Sequence, residues 1–169
     1  MADEEAEAEI RAFWDLARFH AKLNTAPAYF GPTTLEVVPP PAWSFGATPE
    51  HADGLLALVL KGTKTATASS LWEFEAEGEA LPEPGTLSII LDGHGHPRAL
   101  IETTAVEVVP FDEVDEEHAY LEGEGDRSLA YWREVHERFF TEHAAHDHGF
   151  SEDMPVVCER FRVVYQVDS

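Results

Sequence analysis

An α+β domain with a mainly antiparallel sheet or small barrel is the fold class this sequence predicts, on three observations. Its segments follow the order helix, helix, strands, helices, strand, which is not a regular βαβ alternation. Asp92-Gly93-His94-Gly95 supplies hairpin chemistry between two strand-like runs. Residues 156–167 alternate as a strand does, with Val157, Phe161, Val163, Tyr165 and Val167 on the core side. The 169 residues suit one domain with one core, and 44% apolar and 11% aromatic content is enough to pack it.

Each element has its own signal. Residues 4–22 read as an amphipathic helix, with Ile10, Phe13, Trp14, Ala17 and Ala21 on one stripe. Pro27, Pro32, Pro39, Pro40 and Pro41 then forbid helix and central strand, so residues 26–46 form an ordered loop or extended wrap. Thr48 as N-cap, Pro49 at the first helical position and Gly62 at C′ frame a second helix, which buries Leu55, Leu56, Val59 and Leu60. Residues 71–76 suggest a short helix, and Pro84-Gly85 a turn into a strand over 86–91. The next strand, 97–109, places Leu100, Thr104, Val106 and Val108 on one mainly apolar face. Residues 112–120 read as helical. Asp126 is the expected cap of a longer helix to Thr141 carrying Leu129, Trp132, His136, Phe139 and Phe140 along one side.

Charge sets the first functional limit. A net charge of −22 repels phosphate backbones, so no duplex DNA partner is expected, though a nucleoside or short single strand can enter a locally basic pocket. No stretch approaches the roughly 20 apolar residues that span a bilayer. The acidic start, Met1-Ala2-Asp3-Glu4-Glu5, is unlike a secretory signal, and a lone cysteine, Cys158, agrees with a reducing compartment. A cytoplasmic protein without a membrane partner is the expectation.

Gly62-Thr63-Lys64-Thr65-Ala66-Thr67-Ala68-Ser69-Ser70 concentrates an ammonium and five hydroxyls just after a helix stop. Small side chains let a ligand approach the backbone, while hydroxyls and amides bind a polar heterocycle or an oxyanion. The run is not a Walker A loop, whose first glycine it lacks. A polar strand edge with an exposed lysine is the bland alternative.

Gly62-x-Lys64-x-x-Thr67 is similar to the Gly-x-Lys-x-x-Thr-x-Arg signature of the ASCH family, whose domains are PUA-like β-barrels. Trp43-Ser44-Phe45-Gly46, the run from His118-Ala119 through Glu122 to Asp126, the block 128–136 with Tyr131-Trp132-Arg133, and Val157-Cys158-Glu159-Arg160-Phe161 resemble the larger bacterial members in the same order. The resemblance implies a small β-barrel decorated with helices over residues 43–169, with residues 1–42 as an N-terminal helix and proline-rich extension packed on it. That extension has three candidate roles: covering the cleft, joining a homodimer interface or completing the core. The implied partner is RNA or a nucleoside-type small molecule, without cofactor or metal. In members resembling hydrolases of N4-acetylcytidine the catalytic set maps onto Lys64, Thr67 and Glu122. A non-catalytic RNA- or nucleotide-binding module and a ribonuclease cutting single-stranded RNA are the alternatives. Ser69 stands where the signature has arginine, so the fixed fork of donors that would grip a phosphate is missing.

The chemistry leaves two assignments open. A threonine hydroxyl needs a neighbouring base, and lysine serves as one only when desolvation lowers its pKa. Were Glu122 to lie against Lys64, it would stabilise the ammonium; Lys64 would then anchor an oxyanion while Glu122 acted as general acid or base. Three residues apart, Lys64 and Thr67 meet if the run turns, whereas a flat strand would place them on opposite faces.

Gly62, Thr65 and Ser69 complete the expected ligand-binding run. Glu159 joins it because it alternates with Val157 and Phe161 and so points inward, where the cleft near Lys64 is the favoured place and a pairing with an arginine the alternative. Tyr131 falls off the helix stripe and is a stacking candidate, and Arg127 and Arg133 are the nearest substitutes for the missing arginine. His143, His146 and His148 invite a metal reading that solvated loop histidines answer more simply, and His94 and His96 sit in a turn without expected chemistry. Cys158 reads as a small core residue.

Overall fold

The computed structural model describes residues 2–20, 39–46, 48–142 and 149–167. In chain order the elements are α1 (Ala2–His20), β1 (Ala42–Trp43), α2 (Pro49–Leu60), β2 (Ala66–Ser70), α3 (Leu71–Glu77), β3 (Leu87–Leu91), β4 (Pro97–Pro110), a 3-10 turn (Phe111–Glu113), α4 (Glu116–Glu122), α5 (Leu129–Glu142) and β5 (Pro155–Gln166). The strands form one five-stranded sheet in the order β1-β3-β4-β5-β2. β1 runs parallel to β3, whereas β3–β4 and β2–β5 are antiparallel. This is the expected α+β class. The sheet keeps two free ends, β1 and β2, so the expected barrel is not closed.

Contacts gather into two units, one of Met1–Leu60, Leu87–Glu102 and Arg162–Ser169, the other of Lys61–Thr86 and Thr103–Phe161. In the first, the α1 stripe buries Phe13, Trp14 and Ala17 with Ile89 of β3 and Leu100 of β4. Ala21 lies outside the described residues. Thr48 Oγ1 accepts from His51 N at 3.1 Å, giving α2 its expected start, and Ala52, Leu55, Leu56 and Val59 are its buried side. In the hairpin between β3 and β4, Asp92 Oδ1 accepts from the amides of His94 and His96 at 2.9 and 3.0 Å. His96, expected to be chemically idle, also contacts Glu9 at 2.6 Å, tying α1 to this turn.

The second unit packs Phe111, Val114, Ala119, Trp132, Phe140, Met154 and Val156 into its own core, with Ala68 and Cys158 at the margin. Two expectations are corrected here. Residues 112–120 do not form one helix: a 3-10 turn follows Pro110, and Asp115, accepting from His118 N at 2.9 Å, starts α4 afresh. Ser128, not Asp126, caps α5, since its hydroxyl accepts from Tyr131 N at 3.1 Å while Asp126 braces the Ser128 amide at 2.9 Å. The apolar face expected of β4 also fails. Thr104 and Val108 are exposed, whereas Ala99, Leu100, Ile101 and Thr103 are buried on both sides of the strand. Among the described residues no helix is long and apolar enough to cross a membrane.

Candidate active site

Gly62, at φ +81°, turns the chain out of α2 as a C′ glycine does. Thr65 is then fixed on two sides: its amide donates to Leu121 O at 2.8 Å, and its carbonyl accepts from Phe161 N at 3.0 Å. Its hydroxyl also reaches Leu121 O, at 3.5 Å, so Thr65 stitches α4 to β5. This clamp sends Lys64 inward. The ammonium is 1% exposed and donates to Ala66 O at 2.9 Å, Glu124 Oε2 at 3.1 Å and Glu122 Oε1 at 3.3 Å. A lysine is almost never buried this far unless it is paired.

Glu122 collects more donors. Its Oε2 accepts from Trp132 Nε1 at 2.5 Å and contacts His118 Nε2 at 2.6 Å, while Oε1 lies 3.5 Å from His136 Nε2. Helical spacing arranges this: His118 and Glu122 share one face of α4 at i, i+4, and Trp132 and His136 share one face of α5. His136 Nδ1 sits 2.8 Å from Trp132 O, and since a carbonyl can only accept, that nitrogen carries a proton. The imidazole stacks on the Trp132 indole at 4.2 Å. Burial works against charge on His136, but the Glu122 carboxylate outweighs it and raises the imidazole above its usual range. Burial likewise opposes ionisation of Glu122, yet Lys64, His136 and His118 together hold it well below the usual carboxylate range. Glu122 is thus an ionised acceptor with its oxygens occupied, ill-suited to deliver or collect a proton.

Glu122, Glu124 and His136 also bring donor atoms within 4.8 Å of one another, the spacing of a cation site. Lys64 already donates to both carboxylates and supplies the positive charge there. His143, His146 and His148 lie outside the described residues.

The loop after α4 holds this cluster shut. Gly123 takes φ +73°, and a Cβ there would stand 2.6 Å from Thr63 O. Gly125 takes φ +57° against the Tyr131 ring, which a Cβ would meet at 2.5 Å. Tyr131 therefore braces the loop. Arg127 also adopts a positive φ, of 66°, and its guanidinium donates to Tyr120 O at 2.9 Å and stacks on the Tyr120 ring at 3.6 Å. Arg133 is exposed and donates to Asp112 O at 3.1 Å. Neither arginine contacts Lys64 or Glu122, so neither stands in there for the signature arginine.

Thr67 is not part of the Lys64 cluster. On β2, Ala68 lies opposite Cys158 of β5, and both pack against the Trp132 core, whereas Thr67 lies opposite Glu159. Alternation therefore turns Thr67 and Glu159 to the other face, with Ser69 opposite Val157 on the same side. Glu159 is half-buried and accepts a hydrogen bond from Thr103 Oγ1 of β4 at 2.6 Å. Burial pushes its carboxyl up from the usual range, and the Thr103 hydroxyl tempers the rise. The Thr67 hydroxyl makes no hydrogen bond to a described residue.

The family model of the ASCH domain matches residues 41–165. The chain belongs to the ASCH domain family. Two solved structures are similar to the chain. An ASCH domain from Lactobacillus crispatus JV V101 is 32% identical with a TM-score of 0.70, covering 87% of this chain and 95% of its own. Protein EF3133 from Enterococcus faecalis V583 is 38% identical with a TM-score of 0.71, covering 87% of each chain. No curated protein matches the chain.

Within this ASCH domain, the residues that sequence reasoning missed are His118, Glu124, Trp132 and His136 as partners of the buried charges, and Thr103 as the partner of Glu159. The i, i+4 pairing of His118 with Glu122 was the available signal; Glu124 and Thr103 had none, since loop closure and strand register bring them in. Cys158 lies beside His118 and Arg160 in the wall of a cavity of about 420 Å³. Burial pushes its thiol up to about 12, so it is no thiolate nucleophile.

Proposed function

We propose that this ASCH-domain protein binds a nucleoside-type ligand and hydrolyses an amide on its base, of the kind found in N4-acetylcytidine. Thr67 is the residue that meets the ligand, and Lys64 with Glu122 is the buried keystone that fixes the start of β2. One observation carries this division: the Lys64 and Glu122 side chains are engaged within the fold, whereas the Thr67 hydroxyl has no hydrogen-bond partner among the described residues and shares a strand-pair position with a carboxyl. A threonine with a carboxyl neighbour has what a hydroxyl nucleophile requires. The missing signature arginine and the acidic surface favour a nucleoside over a phosphate-rich strand.

Purified protein incubated with N4-acetylcytidine is expected to release cytidine and acetate. Thr67→Val is expected to lower that rate at least about a hundredfold, the scale of losing a covalent catalyst, without shifting the melting temperature. Unchanged turnover in the variant would remove Thr67 from the chemistry. A binding module without turnover is the second reading, favoured by the occupied oxygens of Glu122, the glutamate that the family resemblance makes catalytic. Tight nucleoside or RNA binding with no product would select it, and scission of single-stranded RNA would select a ribonuclease.

A further inference from the structure

Glu159 occupies a position that burial alone does not explain. It sits on β5 directly opposite Thr67 of β2, a register that puts Cβ atoms about 4.5–5.5 Å apart with both side chains on one face. One carboxyl oxygen is held by the Thr103 hydroxyl of β4 at 2.6 Å, and Oε2 has no partner among the described residues. The charged and titratable groups nearby are turned to other work. Lys64 donates to Ala66, Glu122 and Glu124, Arg160 pairs with Glu117 at 3.3 Å, and Glu107 and Cys158 line the cavity beside His118. Glu159 therefore has a hydroxyl on each side, one donating to it and one without a hydrogen-bond partner among the described residues, and no ion-pair partner among those residues.

We infer that Glu159 is the general base that takes the proton of the Thr67 hydroxyl, and that Thr103 is the positioning residue that aims its carboxylate. The inference rests on the amide-hydrolase reading and deepens it. As the Glu159 carboxylate accepts the proton, Thr67 Oγ1 bonds to the carbonyl carbon of the amide. The C–N bond then breaks and the proton passes to the leaving amine, which leaves an acyl ester on Thr67. Water, giving its proton to Glu159, attacks that ester; the C–O bond breaks, Thr67 regains its proton, and the carboxylic acid departs. No metal, oxidant or further reactant enters. Burial raises the Glu159 carboxyl above its usual range, which makes it a stronger base than an ordinary carboxylate. Activity should rise with pH as this group ionises.

The test uses two substrates, N4-acetylcytidine and the activated ester p-nitrophenyl acetate, on the full chain. With the ester, the wild-type protein is expected to carry an acetyl group on the peptide containing Thr67. Glu159→Gln should slow acylation about a hundredfold or more, within the range for general-base catalysis. It should also abolish the acid limb of the pH–rate profile while leaving the protein at least as stable, because a carboxyl whose ionisation burial opposes is removed from a half-buried site. Thr103→Val should lower activity less than Glu159→Gln does and move the acid limb to higher pH, since the hydroxyl that aims the carboxylate and eases its ionisation is gone; a purely structural role for Thr103 would not move that limb. Acylation of Thr67 by the ester with no turnover of the nucleoside would uphold the Thr67–Glu159 pair and overturn the nucleoside reading alone. Nucleoside turnover that needs Thr67 but is indifferent to Glu159→Gln would leave that reading standing and overturn this inference.

Discussion

Glu122→Ala is expected to destabilise the protein by about 3–5 kcal/mol, the usual cost of removing one partner from a buried ion pair. The loss falls on several groups at once. Lys64 keeps Glu124, but His118 Nε2, His136 Nε2 and Trp132 Nε1 lose their shared acceptor in a closed interior. Each orphaned donor adds desolvation that water cannot relieve. Glu122→Gln keeps the shape and one acceptor oxygen, so its cost should be smaller, and urea denaturation of both variants checks the order. The same cluster predicts a pH profile of stability. Glu122 is held below its unfolded value, so its contribution is present above about pH 4.3 and is lost as pH falls through its folded pKa. His136 is raised, so its contribution is complete below about pH 6.5 and is lost as pH rises through its folded value. Maximal support from this cluster therefore lies between those limits. Melting temperatures measured across that range should peak there, and His136→Phe should flatten the alkaline side.

Gly123→Ala is the second large effect, and it comes from backbone rather than charge. At φ +73° an L-residue loses about 1–2 kcal/mol to left-handed strain. The added Cβ would also stand 2.6 Å from the Thr63 carbonyl, a backbone atom that cannot swing aside, and overpacking of this kind costs about 1–3 kcal/mol more. The shift needed to relieve the clash separates Thr63 from the α4 terminus, and with it the clamp that aims Lys64 at Glu122. A fall in the urea midpoint together with lowered activity is expected. Gly62→Ala is the control: it has a positive φ but nothing within 4 Å of the new Cβ, so only the strain should appear.

Local signals were legible and long-range ones were not. The α1 stripe and the Thr48, Pro49 and Gly62 frame of α2 could be read because caps and helical periodicity act within a few residues. Alternation misread β4, since its first half is buried on both faces and period-two patterning reports only one-sided burial. The two-residue β1 is recognised by its parallel partner, Ile89-Ile90, far along the chain, and no local pattern announces it. Two nearby acidic residues, Asp112 and Asp115, each look like a helix cap, and only Pro110 and the 3-10 turn decide between them. At the site, the spacing of Lys64 and Thr67 left open whether the run turns to bring them together; the structure keeps Lys64 in the loop ahead of β2 and Thr67 within the strand. The family resemblance grouped Lys64 with Glu122, 58 residues apart, and left their contact open; the structure pairs them. Glu159 was expected near Lys64, whereas register places it against Thr67, because alternation along β5 fixes a side but not which strand lies opposite.

The central physical claim is that the Lys64 ammonium and the Glu122 carboxylate form one energetic unit that fixes β2. A double-mutant cycle with Lys64→Met, Glu122→Gln and the pair, followed by urea denaturation, measures it most directly. The double variant should be more stable than the sum of the single losses implies, by at least about 1.5 kcal/mol, because each single change strands a buried partner. Single losses that add to within about 0.5 kcal/mol would show two independent side chains and contradict it.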